Sequence, residues 1–89
     1  MKTKQGYTLR SLGDESILVP EKLGSEIDFS RMISLNASAA FLWKEVEGKD
    51  FDLETLVSLL VQEYGIDHDV ARHDAEVLLQ SWQNAGIIA

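Results

Sequence analysis

Arg31-Met32-Ile33-Ser34-Leu35-Asn36-Ala37-Ser38-Ala39-Ala40-Phe41-Leu42-Trp43-Lys44-Glu45-Val46 is the stretch that decides the fold. Its first residues alternate as a strand does, and at Leu35-Asn36 the pattern turns directly into a helix. Asn36 is a favourable N-cap, because its side-chain oxygen accepts from a backbone N–H two or three residues on. The alanine-rich run behind it has high helix propensity. Phe41, Leu42, Trp43 and Val46 then give that helix a broad apolar face. This strand-to-helix corner is where a hairpin on one side must meet helices on the other.

Upstream, Tyr7–Leu12 mixes aromatic, β-branched and alternating residues. Gly13-Asp14 suits a two-residue hairpin turn. Residues 15–19 return, and Pro20 ends that strand because proline lacks a ladder donor. Residues 21–28 are polar, contain Gly24-Ser25, and read as an exposed loop. The third strand is expected over residues 29–35. Phe29, Arg31, Ile33 and Leu35 share one face, and Ser30, Met32 and Ser34 the other. Leu35 and Ile33 belong to the core side, with Arg31 near the rim.

Downstream, the first helix is expected over residues 37–47, stopped by Gly48. Asp52 caps a second helix that shows Leu53, Leu56, Val57, Leu60 and Tyr64 at helical spacing and ends at Gly65. Asp67 caps the third and longest helix, which runs to about Asn84 before Gly86. Its stripe is Ala71, Ala75, Leu78, Leu79 and Trp82, with Val70 and Val77 beside it and Asp74 between them. The reading is α+β and winged-helix-like: a three-stranded antiparallel sheet packed on three α-helices. Residues 1–6 are expected to be a flexible N-terminal tail, and residues 7–89 a single domain. Trp43 and Trp82 are the natural core anchors.

Bulk properties narrow the function. The chain has 89 residues, no cysteine and a formal net charge of −7. Disulfide and thiolate chemistry are therefore excluded. The basic start is not followed by an apolar h-region, and no apolar run is long enough to span a bilayer, so a soluble cytoplasmic protein is expected. Nucleic-acid binding draws much of its affinity from Lys and Arg on phosphates, which an acidic chain supplies poorly.

Catalytic patterns are missing. His68 and His73 stand five residues apart, where helical metal pairs favour three or four. Neither has a serine partner, and there is no Gly-x-Ser-x-Gly elbow or Gly-rich phosphate loop. A carrier-protein reading fails at Asp28-Phe29-Ser30-Arg31-Met32, where the serine is displaced and lies in an expected strand. A winged-helix DNA-binding regulator is the alternative. Its reading helix must offer basic or amide side chains to base edges, whereas residues 67–84 carry Asp67, Asp69, Asp74 and Glu76 against Arg72.

A peptide-binding edge remains. The third strand is an edge or close to one, and an exposed edge offers N–H and C=O groups to an incoming strand. The third helix would wall the other side, with Val70 and Val77 as apolar contacts. A proline at Ile33 would test the model, provided that the Ile33 N–H points to the open edge.

Leu35-Asn36, Ala39-Ala40, Trp43, Gly48 before Asp52, and the closing Trp82-Gln83-Asn84-Ala85-Gly86-Ile87-Ile88 carry a resemblance. From Tyr7 onward the chain resembles the PqqD family, named for coenzyme PQQ synthesis protein D, a class of recognition elements for ribosomally made, modified peptides. The resemblance implies a non-catalytic, cofactor-free peptide chaperone. Such a chaperone binds the leader segment of a precursor peptide and presents it to a modifying enzyme, often a radical S-adenosylmethionine enzyme, in PQQ or another peptide pathway. It places the leader as an added strand along Arg31, Met32, Ile33 and Ser34, with Val70, Asp74, Val77 and Leu78 opposite. Monomer and homodimer are both compatible with it, and neither nucleic acid nor membrane is an expected partner.

Overall fold

The computed structural model describes residues 1–20 and 32–88. The expected loop at residues 21–28, the strand start at residues 29–31 and Arg31 itself lie outside the described residues. Six elements follow in order: β1 (Tyr7–Leu12), β2 (Glu15–Pro20), β3 (Ile33–Leu35), α1 (Ala37–Val46), α2 (Leu53–Tyr64) and α3 (His68–Ala85). The strands form one antiparallel sheet in the order β1-β2-β3. The fold is α+β and winged-helix-like, as the alternating strands and capped helices lead one to expect.

The hairpin fixes which backbone groups are used. Gly13 supplies the positive φ, 62°, that a two-residue turn demands. The residues flanking such a turn, Leu12 and Glu15, form a hydrogen-bonded pair, and pairs alternate from there. Arg10 with Ile17 and Thr8 with Val19 therefore exchange bonds, whereas Tyr7 opposite Pro20 does not. Pro20 thus sits where β1 needs no donor. It follows that Ser16 and Leu18 turn their backbone groups toward β3, where Leu35 and Ile33 lie opposite them. Ile33 and Leu35 are engaged on β2. Ser34 points its N–H and C=O the other way.

Caps set the helix starts. The Asn36 side chain accepts from the Ala39 N–H at 2.8 Å. Asp52 accepts from the Thr55 N–H at 2.9 Å, and the Thr55 hydroxyl accepts in turn from the Asp52 N–H at 3.4 Å, which completes a capping box. Asp67 accepts from the Asp69 N–H. α1 ends one residue earlier than expected, at Val46, with an extended Glu47 as its C-cap. Gly65 and Gly86 stop α2 and α3 in left-handed conformations.

Trp43 and Trp82 are almost wholly buried and meet edge to face at 5.4 Å between ring centroids. Tyr7 stands perpendicular to Trp43, and Phe51 to Trp82, each pair 6.4 Å apart between ring centroids. Such perpendicular pairs set the positive edge of one ring against the negative face of the next. Leu18, Leu42, Val46, Leu56, Val57 and Ile87 are the other large side chains that are fully buried among the described residues.

The first residues, expected as a flexible tail, make contacts with the rest of the fold. Thr3 is buried and bridges to Ile88, and Lys4 N–H donates to the Ile87 carbonyl at 2.9 Å. Met1 exchanges backbone bonds with Phe51 at 2.8 Å in both directions. The Thr3 hydroxyl also accepts from Gly48 N–H. Polarity made this stretch look like solvent-exposed chain. Its backbone groups are what tie it down, and they leave no trace in a hydropathy pattern.

Candidate functional site

Among the described residues β3 pairs only with β2, and no described strand occupies its second edge. That edge borders a groove of about 890 Å³. β3 contributes Ile33, Ser34 and Leu35 to the lining, and the first turn of α1 contributes Ala37, Ser38 and Ala39. The opposite wall is α3, where Asp74, Val77, Leu78, Ser81 and Ala85 recur three or four residues apart and so share one face. Leu42, Leu60 and Trp82 form the buried floor. A shallower concavity of about 490 Å³ continues over the outer side of α3 and shares His73, Val77 and Ser81 with the groove.

The side chains of β3 sort by face. Leu35 is buried and Ile33 half-buried on the groove side, while Ser34 is exposed. Ser34 alternates to the other face of the strand from Ile33 and Leu35, and it is the residue whose backbone faces away from β2. A proline at Ile33 would therefore break the bond to β2 rather than the edge; Ser34 is the position that tests the edge.

The residues expected to bind are divided by the structure. Ile33, Ser34, Asp74, Val77 and Leu78 come together in the groove. Met32 precedes β3, half-buried, and is not part of the lining. Val70 is 51% exposed and lies outside the groove as well, one helical turn before Asp74 on the same side of α3. Val77 is 58% exposed and forms the rim. Sequence reading missed Ser81 and Ala85, which fall on the same face as Asp74 and Leu78 but carry no apolar signal. It also missed the floor residues Leu42 and Leu60, which look like ordinary core.

Charge on α3 is acidic apart from Arg72, whose guanidinium is paired with the Glu54 carboxylate on α2. Such a surface repels phosphate, and the DNA-binding alternative is not favoured. Among the described residues no three His, Asp or Glu side chains converge as a metal site, and no helix is long and apolar enough to cross a membrane.

A small sheet with an open edge, set beside a groove walled by a helix, defines a compact winged-helix-like module of the kind that offers backbone and pocket together. The chain belongs to the PqqD family: the family described as coenzyme PQQ synthesis protein D matches residues 15–88. Among solved structures, TbiB1 in complex with the TbiA(beta) leader peptide superposes with a TM-score of 0.71. The match covers 99% of this chain and 94% of that one at 22% identity, and it speaks to the fold. No curated protein matches the chain.

Proposed function

We propose that this protein captures the leader segment of a ribosomally made precursor peptide as an added strand along β3 and presents it to a modifying enzyme. The observation that carries the reading is the open edge of β3 directly beside the groove closed by α3. Backbone bonds at Ser34 supply affinity that tolerates sequence, and the groove supplies selectivity. Family membership and the leader peptide held by TbiB1 support it. The chain itself does no chemistry; the partner enzyme does, a radical S-adenosylmethionine enzyme of PQQ or a related peptide pathway. The setting is cytoplasmic. An open edge also pairs two copies of one chain, so the reading accommodates a monomer and a homodimer.

The test is an NMR amide titration with the synthetic leader of a short open reading frame encoded beside this protein. Shifts concentrated at Ile33, Ser34 and Leu35 and along the Asp74, Leu78 and Ser81 face of α3 are expected. Binding that shifts only the outer α3 face, or that survives Ser34→Pro in a folded variant, would rule out strand addition at this edge.

A further inference from the structure

We infer that the groove selects an extended peptide bearing two apolar side chains two residues apart, with a lysine or arginine on the same face beside Asp74. The inference rests on the strand-capture reading above and adds which side chains are read.

Register comes from Ser34. Its N–H and C=O are the β3 groups turned to the open edge, so one peptide residue exchanges both bonds with it. Residues directly opposite in an antiparallel pair share a face, and Ser34 is exposed. The paired peptide residue therefore projects to solvent and is read by its backbone alone. Its two neighbours lie opposite Ile33 and Leu35 and project into the groove. There they meet Leu42, Leu60, Leu78 and Trp82, a floor of aliphatic and aromatic carbon. Apolar side chains gain by covering that floor, and polar ones lose their water there. The two-residue spacing is dictated by the strand, because its period is two.

Charge comes from Asp74. It is exposed on the α3 wall, one turn before Leu78, and is the only carboxylate among the described lining residues. No Lys or Arg lines the groove among the described residues. Arg72, the sole Lys or Arg of α3, is held by Glu54 on α2. His73 and Tyr64 are the other ionisable groups on the described lining. A peptide cation beside Asp74 thus meets a carboxylate with no competing Lys or Arg among the described lining residues, and a peptide carboxylate meets repulsion. The site is solvent-open, so the preference is modest and salt-sensitive.

Panning a random linear-peptide display library against the wild-type protein and against Asp74→Lys tests this. Asp74 is exposed, and circular dichroism checks that the variant folds. Wild type should enrich apolar-x-apolar sequences with Lys or Arg nearby on the same face; Asp74→Lys should enrich Asp or Glu at that position instead. In a synthesised binder, Lys→Glu should weaken wild-type binding by roughly fivefold and be rescued by Asp74→Lys. An apolar-x-apolar consensus whose charge preference is absent, or is unchanged by Asp74→Lys, overturns the inference and leaves strand capture standing. Enriched peptides that bind Ser34→Pro as well as wild type overturn strand capture itself.

Discussion

Ala71, Ala75, Leu79 and Trp82 form one stripe of α3, and Asp74, Leu78, Ser81 and Ala85 form another beside it. Both recur at three- and four-residue intervals, and both carry small and large side chains. The inner stripe is buried against α2 and the tryptophan cluster, with Ala71 and Ala75 wholly inaccessible. The groove stripe faces open space, with a three-residue strand on the far side. Periodicity says which residues share a face. What stands opposite decides whether that face is core or site.

Trp82 belongs to both sides of the comparison, as a core ring against Trp43 and as part of the groove floor. Trp82→Ala should give the largest effect, a loss of about 3–5 kcal/mol in urea unfolding, because a large cavity opens in a close-packed region. A loss below about 1 kcal/mol would mean that the groove already relieves its packing, and the two stripes would not be distinct.

Next in size is a matched pair of enlargements. Ala75 is wholly buried, so Ala75→Leu overpacks the inner stripe and should cost about 1–3 kcal/mol. Ser81→Leu adds similar bulk to the groove stripe, where Ser81 is exposed, and should change stability by less than about 0.5 kcal/mol. It should also fill the groove and weaken peptide binding, read by tryptophan fluorescence. Equal stability costs for the two would erase the distinction between filled and open faces.

A pair of prolines sharpens the view from the strand. Ile33→Pro removes a β2–β3 ladder bond and should lower stability by about 1 kcal/mol. Ser34→Pro spares that ladder, so its main loss should be in peptide affinity. Thermal melts and titrations of the two variants should rank them in opposite orders; the same order in both would place the open edge at the wrong residue.

How much of this was legible follows from what each feature depends on. Asn36, Asp52 and Asp67 announced the three helices because capping is local, and the hairpin was plain from Gly13-Asp14 between alternating runs. The groove was half legible. Asp74, Val77 and Leu78 showed as neighbours on a helix face, but Val70 was grouped with Val77 by their seven-residue spacing. That spacing keeps two residues on a similar face without saying how far along the helix the opposite wall extends. Ser81 and Ala85 matter for the space they leave, which no hydrophobic pattern encodes. Which β3 amide is free depends on counting pairs outward from the turn, and that count needs the register of β2 on β3.

The smallest effect concerns α2, the element that covers the inner stripe. Its first turn hangs on Asp52, whose carboxylate accepts from the Thr55 N–H and then the Thr55 hydroxyl. These bonds, the backbone one first, hold its pKa below the ordinary 3.8. A carboxyl depressed in the folded state stabilises fully above its unfolded value and loses that contribution as pH falls through the folded one. Asp52→Asn keeps a capping oxygen but does not titrate. The stability difference between wild type and Asp52→Asn should therefore be flat above about pH 4 and shrink below it. A gap that stays constant into acid would assign the acid sensitivity of the inner face to another carboxylate.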